Sequence, residues 1–206
     1  MSLLSRRRAL ISQNKEKYVF VEYIQSTGTQ WIDTGIIANG DTKVDIDFQI
    51  VKITAAFMYG SRENSTTKAY SLNVNSADNL MSPYGDGGAF TLGVADTKRH
   101  TVNKNHRTLY YDDVFIGQVA KQEFTTPGNL ELFASYNGGA KGYLPSQMKL
   151  YSCSIYDGVT EGSRTLLRDF KPCYRKVDKV AGLYDTVSGE FFENQGTGNF
   201  LIGGEI

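Results

Sequence analysis

Alternating polar residues on one predicted strand have the spacing of a catalytic carboxylate pair. They are Asp45, Asp47 and Gln49, and they are separated by Ile46 and Phe48. Side chains at alternate strand positions share one face of a sheet, and a retaining glycosidase needs a nucleophile and an acid about 5 Å apart. The third position is an amide, however, and an amide cannot exchange a proton. We therefore predict that the chain is not an enzyme and that Asp45 and Asp47 form the solvated side of an amphipathic strand.

Oxygen-rich loops raise the alternative of a calcium site. Carboxylate, amide and carbonyl oxygens are available at positions 76–79, 86–88 and 137–139, and Ca²⁺ takes such ligands. None of these loops has the ligand spacing of an EF-hand, and turn formation explains the same residues. His100 and His106 are the only histidines, and they have no third ligand nearby, which argues against zinc. The sequence predicts no metal and no cofactor, with Ca²⁺ left as the alternative.

Aromatic residues beside amide-rich loops are the remaining candidates for ligand binding. Sugar rings stack on aromatic planes, and sugar hydroxyl groups form hydrogen bonds with Asn, Asp and Gln. The predicted loops contain Tyr84, Asp86, Tyr136 and Asn137 in such a setting. We predict that these four residues form a glycan-binding site. The alternative is that the rings pack in the core, as most aromatic rings of β-proteins do.

The composition favours one all-β domain built as a two-sheet sandwich. The chain has 206 residues, with 21 Gly but only 4 Pro and with 12% aromatic residues, which suits short strands joined by tight turns. Lys+Arg and Asp+Glu both number 22, so we expect no nucleic-acid partner. A net charge near zero favours self-association, and a homo-oligomer is expected on that ground.

The first residues carry no recognisable export signal. Arg6, Arg7 and Arg8 are followed by a short apolar run that includes Leu10, after which polar residues resume; this is too short for a signal peptide. No run approaches the roughly 18 apolar residues of a membrane span. We predict synthesis in the cytoplasm and no membrane insertion.

Residues 1–17 are predicted to be an N-terminal basic arm. Its three arginines and Leu10 suit an anchor that folds against a partner in a larger assembly. The alternative is a disordered terminus.

Hydrophobic alternation locates the strands. The pattern is cleanest at 43–51, where apolar residues alternate with polar ones and predict a strand with one core face. Residues 82–88 and 136–142 are predicted to be loops because turn-forming residues dominate them. Residues 109–117 are predicted to form a hairpin; its turn carries Asp113, which tolerates left-handed backbone less well than glycine.

The segment 149–203 predicts a strand, a turn and a closing hairpin. Alternation places Leu150 on one face of the strand and Cys153 and Ile155 on the other. Pro172 stops any helix, and we expect the chain to turn there.

Two further expectations concern the same segment. A two-residue loop at 188–189 is predicted to close the hairpin, because Gly189 can adopt a positive φ. Cys153 and Cys173 are the only cysteines; two cysteines do not make a disulfide framework, so both are predicted to be reduced.

Several sequence motifs resemble one structural family. The series KLYSCSIYD, RDFKPCYRK, GLYDTVSGEFF and NQGTGNF, together with the opening EYIQSTGTQWIDTGI, is similar to concanavalin A-like (laminin-G-like) jelly-roll domains of phage and prophage structural proteins from gut bacteria. The resemblance implies a jelly-roll sandwich over residues 18–206.

The resemblance also implies a function. It suggests a non-enzymatic virion protein of the tail-fibre, receptor-binding or capsid-decoration type, exposed on the particle and binding a host-surface polysaccharide. Other virion or tail proteins would be its partners through the arm. Two alternatives stay open, namely a polysaccharide-cleaving glycoside hydrolase on the same fold and a purely structural subunit with no ligand.

Overall fold

The computed structural model describes residues 16–206. The predicted anchor residues Arg6, Arg7, Arg8 and Leu10 lie outside the described residues. Within 16–206 the chain forms β-strands and no helix, so this range contains no helix that could span a membrane. The strands are β1 (Tyr18–Phe20), β2 (Ile24–Gln25), β3 (Ile32–Asn39), β4 (Lys43–Lys52), β5 (Ala56–Arg62), β6 (Ala69–Val74), β7 (Asn79–Gly85), β8 (Gly88–Val94), β9 (Arg99–Asn105), β10 (Thr108–Tyr111), β11 (Val114–Gln118), β12 (Thr125–Leu132), β13 (Ser135–Asn137), β14 (Ala140–Tyr143), β15 (Gln147–Asp157), β16 (Thr165–Arg175), β17 (Ala181–Asp185), β18 (Phe191–Glu193) and β19 (Leu201–Ile202).

The strands form two sheets. The larger sheet has 11 strands, in the order β11-β10-β9-β4-β15-β16-β17-β18, with β1 beside β16, β2 beside β15 and β19 beside β2. The smaller sheet has 8 strands, in the order β14-β13-β5-β6-β7-β8, with β12 beside β5 and β3 beside β12. Among the described strands, every pairing is antiparallel except that of β5 with β13. The predicted all-β, two-sheet antiparallel sandwich is confirmed.

Strand β4 occupies the middle of the larger sheet and shows the predicted alternation in full. Its inward side chains, Val44, Ile46, Phe48 and Ile50, are at most 3% exposed. They contribute to one core cluster that also contains aromatic and aliphatic residues of the smaller sheet. Fully burying a side chain of this size stabilises the fold by about 1.5–3 kcal/mol. The polar positions of β4 therefore face outward.

Strand β15 departs from strict alternation. Its register against β4 shifts between Leu150 and Ser152, which marks a bulge at Tyr151. One extra residue reverses the phase of alternation, so Leu150, Cys153 and Ile155 are all fully buried. The prediction that Leu150 faces away from Cys153 and Ile155 is wrong. The pattern of polar and apolar residues does not show where a bulge inserts an extra residue.

The chain does not turn at Pro172. Strand β16 runs through it without interruption, and the carbonyl of Pro172 accepts a hydrogen bond from the N–H of Val21 at 3.1 Å. Proline disfavours helix and restricts the residue before it to extended conformations, and extended conformations are those of a strand. The predicted turn at Pro172 is wrong.

The closing hairpin between β17 and β18 is confirmed, but its loop is longer than two residues. Strand β17 ends at Asp185, a fully buried carboxylate. Its two oxygens accept the backbone N–H groups of Asp169, Val187 and Ser188 at 2.8–3.1 Å. Gly189 has the expected positive φ of 80°. The side chain of Asp185 thus organises a wider turn than the sequence predicts.

Both cysteines are free and buried, so the prediction of reduced thiols is confirmed. Burial raises the pKa of the Cys153 thiol, and it raises the pKa of Cys173 to about 12. Both side chains act as small apolar groups of the core.

Lys104 on β9 crosses the core from the larger sheet to the smaller one. Its side chain is fully buried, and its Nζ donates to the backbone carbonyl of Pro83 at 2.5 Å and to that of Ser71 at 3.4 Å. The same atom lies 3.9 Å from the ring centroid of Tyr70. Burial lowers the pKa of Lys104 well below its usual value of 10.5, because desolvation disfavours the charged amine.

The lowered pKa of Lys104 predicts a pH dependence of stability. The unfolded chain binds a proton at this lysine below a pH of about 10.4, whereas the folded chain binds it only at lower pH. The free energy of unfolding therefore decreases as the pH falls toward the folded pKa. Lys104→Met removes this effect. The stability of the wild type relative to Lys104→Met should rise with pH below about pH 10.4, by at most about 1.4 kcal/mol per pH unit.

Urea denaturation of both proteins across this range measures the difference. Lys52→Met is the matched control for removing a lysine, because Lys52 lies on the same sheet but is exposed. A constant difference for Lys104→Met would contradict the prediction.

Candidate functional site

Tyr84 is not available for binding. The predicted loop at 82–88 is largely strand, since β7 continues to Gly85 and the turn to β8 is confined to Asp86 and Gly87. The alternation of β7 points Tyr84 into the core, where it is fully buried and its hydroxyl donates to the carbonyl of Gly40 at 2.8 Å. The prediction of an exposed Tyr84 is wrong.

Asp86 lies in the β7–β8 turn, and Asn137 is the last residue of β13, just before the β13–β14 turn. Asp86 is exposed and accepts the backbone N–H of Lys68 at 2.7 Å. The Oδ1 atom of Asn137 accepts a hydrogen bond from Nε of Arg62 at 2.7 Å. The segment 62–68 forms backbone hydrogen bonds with both turns. The structure therefore brings these two predicted residues to the same end of the smaller sheet, next to the segment 62–68.

Tyr136 precedes Asn137 on β13 and is only half-buried. Its ring lies against Gly128, where an added Cβ would approach the ring to 2.6 Å. One face of the ring is thus occupied by the backbone of β12. The predicted roles of Asp86, Tyr136 and Asn137 in glycan binding stay predictions.

A polar hollow of about 280 Å³ crosses strands β9, β4 and β15 on the outer face of the larger sheet. Strand pairing arranges its side chains in two rows across the three strands. One row is Asn103, Asp45 and Ser154, and the other is Thr101, Asp47 and Ser152. Asp113 from the β10–β11 turn also lines it. We call this site the polar trough, defined by Asp45, Asp47, Thr101, Asn103, Asp113, Ser152 and Ser154.

Two carboxylates of the trough are each held by a cation. Asp47 accepts two hydrogen bonds from Arg99, from Nε at 2.8 Å and from Nη2 at 2.6 Å. Asp45 pairs with Lys43 on the same strand. A two-point contact of this kind fixes the orientation of a carboxylate. The floor of the trough is therefore ordered before any ligand arrives.

Each of these cations also lies over a tyrosine ring. The guanidinium of Arg99 is 3.7 Å from the ring centroid of Tyr151, and Nζ of Lys43 is 4.6 Å from that of Tyr156. Both tyrosines are half-buried and come from β15. The trough consequently lies between two tyrosine–cation pairs, a layout that alternation in the sequence does not indicate.

Asp45 is partly withdrawn from water. Burial raises its pKa, against a smaller lowering effect of the hydrogen bond from Lys43. Its Oδ1 atom is buried and has no hydrogen-bond partner among residues 16–206. A buried acceptor without a hydrogen bond destabilises the fold. A ligand that donates a hydrogen bond to Asp45 Oδ1 would remove this cost. The expectation of a solvated Asp45 needs this correction, although both aspartates do face outward.

Asp113 lies in the β10–β11 turn, and its neighbour in that turn, Asp112, contacts a histidine that lies between two carboxylates. His100 Nδ1 lies 2.7 Å from Asp112 Oδ2, and Nε2 lies 2.8 Å from Asp96 Oδ1. Asp112 and Asp113 have φ values of 48° and 62°, so both adopt the left-handed geometry of a tight hairpin turn. The predicted hairpin is confirmed as β10–β11, and the contacts of Asp112 support its unfavourable backbone geometry.

A second acidic pair lies on the smaller sheet but is closed to substrate. Glu131 on β12 is opposite Asp33 on β3, and burial raises the pKa of Glu131 to about 7. A raised pKa suits a general acid. However, Glu131 is only 1% exposed, and its Oε2 accepts the N–H of Gly142 at 2.8 Å. An acid must reach the bond that it protonates, so this pair does not support hydrolysis.

Within residues 16–206, no group of three or more His, Cys, Asp or Glu side chains is placed to hold a metal ion. The oxygen-rich turns considered for Ca²⁺ use their side chains locally; Asn75, for example, caps the turn at 76–79 by accepting the N–H groups of Ala77 and Asn79.

Sequence reasoning identified only part of the polar trough. Asp45 and Asp47 were recognised as outward residues of one strand. Thr101 and Asn103 on β9 and the serines of β15 were not connected with them. The missing information is strand order, because residues about 50 to 110 positions apart in the chain become neighbours only through the pairing of β9 and β15 with β4.

The environment of His100 makes a prediction about its protonation. Burial lowers the pKa of this imidazole, but the hydrogen bonds to Asp112 and Asp96 outweigh burial and hold the pKa above 6.5. Asp112→Asn should therefore lower the pKa of His100, which an NMR titration measures directly. Because the chain has only two histidines, His106→Gln leaves a single imidazole signal in both backgrounds.

The raised pKa of His100 also makes the stability of the fold depend on pH. A histidine with a raised folded pKa stabilises the fold below about pH 6.5, and this contribution is lost as the pH rises through the folded pKa. A His100 that titrates below 6.5 in the wild type, or that is unchanged in Asp112→Asn, would contradict the assignment.

The protein has few recognisable similarities to known proteins. No family model and no curated protein matches it. Among solved structures it is similar to the CBM40 of the Ruminococcus gnavus IT-sialidase, with 11% identity and a TM-score of 0.48 over 70% of this chain and 92% of that chain. The same values apply to that CBM40 bound to alpha2,3 sialyllactose. At this level of likeness, function has to be argued from the side chains of the chain itself.

Proposed function

We propose that the protein binds a neutral carbohydrate in the polar trough and does not cleave it. The observation that carries this proposal is the arrangement of the trough, with two rows of short hydroxyl, amide and carboxylate side chains between Tyr151 and Tyr156. Such groups offer both donors and acceptors to sugar hydroxyls. The half-buried rings of the two tyrosines supply apolar contact for the carbon skeleton.

The charge balance of the trough favours a neutral ligand. Asp45 and Asp47 are each paired with a cation, and Asp113 adds a further carboxylate. A phosphate or another anion would meet these three carboxylates, and the two cations beside them are already engaged by Asp45 and Asp47. An uncharged polyol can instead satisfy the unpaired Oδ1 of Asp45 with a hydroxyl donor.

A second candidate, glycoside hydrolysis, is favoured by the side-by-side position of Asp45 and Asp47. Residues two apart on a strand are about 6.6 Å apart along it, within the range in which two carboxylates can cooperate on a glycosidic bond. Against this, Asp47 is held in an ion pair with Arg99. The position four residues after Asp45 is Gln49, whose amide is engaged with Thr97 and Tyr151. Binding without turnover is therefore the better-supported candidate.

We also propose that this binding serves a virion. The support is the sequence resemblance to phage and prophage jelly-roll domains, which implies a tail-fibre, receptor-binding or decoration protein that meets host-surface polysaccharide. Residues 1–17 would then connect the sandwich to other virion proteins. Deleting them should abolish incorporation into particles, and unchanged incorporation would remove this part of the proposal.

Binding is tested with a panel of neutral polysaccharides, namely glucans, xylans, mannans and galactans, by affinity electrophoresis followed by calorimetry. Asp47→Asn should weaken binding of the recognised glycan at least about tenfold, because a hydrogen bond that involves a charged group contributes about 1.5–3 kcal/mol. Asn103→Ala should weaken it about two- to tenfold, because a neutral hydrogen bond contributes about 0.5–1.5 kcal/mol. Glu190→Gln, which removes an exposed carboxylate from the terminal hairpin, should bind like the wild type.

Absence of binding to every neutral glycan, or unchanged binding in both trough variants, would contradict the proposal. The hydrolase candidate has a separate readout. It requires release of reducing ends by the wild type and loss of that release in Asp45→Asn.

A further inference from the structure

Arg62 presents a partly buried positive charge that no carboxylate neutralises. It ends β5 on the outer face of the smaller sheet and is half-buried. Among residues 16–206 it forms no ion pair, whereas Arg99, Arg168 and Arg175 each contact an Asp or Glu. Residues 1–15 contain neither Asp nor Glu, so they offer no carboxylate. Buried charges are normally paired, and this one lacks its partner.

The guanidinium is nevertheless held in a defined position. Its Nε donates to Oδ1 of Asn137 at 2.7 Å, and its central carbon lies 4.6 Å from the ring centroid of Phe57 and 5.6 Å from that of Tyr143. Burial lowers the pKa of Arg62, but an arginine stays protonated at physiological pH. Neutral groups therefore fix the orientation of the fork without cancelling its charge.

Beside Arg62 lies a groove of about 280 Å³ across the smaller sheet. Hydroxyl and amide groups of Ser65, Thr66, Asn73 and Asn75 line part of it, and the rest is lined by the apolar side chains of Ala69, Met81, Pro83 and Ala89 and by backbone of the β7–β8 turn. The acidic groups nearby are Glu63 and Asp86. Glu63 is paired with Lys68 at 3.1 Å, and Asp86 is exposed and caps the N–H of Lys68. Neither compensates Arg62.

We propose that this groove binds the carboxylate of an acidic sugar, with Arg62 as the recognising group. A planar guanidinium matches a carboxylate through two parallel hydrogen bonds. The hydroxyl and amide lining suits the remaining sugar hydroxyls, and a volume of about 280 Å³ suits one sugar residue. A single guanidinium balances the charge of a carboxylate but not that of a doubly charged phosphate. This site lies on the opposite sheet from the polar trough and is independent of it.

Asn137 is a positioning residue in this site. Its neutral amide orients Arg62 and leaves the charge free for a ligand. Asn137→Asp would place a carboxylate at the same position, about one hydrogen-bond length from Nε, and this internal carboxylate would compete with the carboxylate of the sugar. The variant thus blocks the site while preserving its shape.

The test uses methyl β-D-glucuronide and methyl β-D-glucoside, which differ only at C6. Binding at the groove is measured in the full chain by NMR titration, from the shifts of the groove residues Ser65, Thr66 and Asn73. The wild type should bind the glucuronide at least about tenfold more tightly than the glucoside. Arg62→Gln and Asn137→Asp should both remove this preference. Asp47→Asn, in the trough, should leave it unchanged, which separates this site from the proposed function.

Equal binding of the two glycosides by the wild type would overturn the proposal. So would an undiminished preference in Asn137→Asp, which remains a decisive variant even if Arg62→Gln does not fold. Loss of the preference in Asp47→Asn alone would assign the carboxylate to the trough instead and overturn the assignment to Arg62.

Discussion

The alternation of β4 is the constraint on which both the core and the polar trough depend. Phe48 and its inward neighbours join the two sheets, while Asp45 and Asp47 form the middle of the trough on the other side of the same strand. Because side chains alternate with a period of two, a slip of one residue would place carboxylates in the core and apolar groups on the surface. The hydrophobic effect that fixes the register of β4 therefore also fixes the geometry of the trough.

The two outer faces of the sandwich differ in whether their basic side chains are paired with carboxylates, and they therefore suit different ligands. On the larger sheet, Arg99 and Lys43 are engaged by the carboxylates of the trough, which leaves a surface suited to neutral hydroxyl groups. On the smaller sheet, Arg62 is held by Asn137 and two aromatic rings and keeps an uncompensated charge. A chain with equal numbers of acidic and basic residues can thus present two distinct recognition surfaces, because local pairing matters more than net charge.

Sequence patterns predicted the parts of the structure that local physics determines. Residues 43–51 and the two hairpins follow from alternation and turn chemistry. The pattern failed where one residue changed the phase, as at the bulge of Tyr151, or where turn-forming residues lie inside a strand, as Pro83 does next to the buried Tyr84. Composition and local spacing do not report such cases, since β-strand stability is decided by neighbours across the sheet.

The candidate site was less predictable than the fold for the same reason. Asp45 and Asp47 were visible in the sequence, but their partners come from β9 and β15 and meet them only through long-range pairing. The sequence also does not show that Arg62 lacks an ion pair, because only the three-dimensional structure shows which side chains surround it. Sites of this kind need strand order and side-chain contacts before they can be recognised.

Backbone amide chemical shifts of the protein with bound glycan test whether the outward face of β4 is a carbohydrate-binding surface. On titration with the neutral glycan selected from the panel, the largest shift changes should fall on β4, β9 and β15 around Asp45 and Asp47. Changes confined to the smaller sheet, or spread evenly over the protein, would show that the outward face of β4 does not bind the glycan.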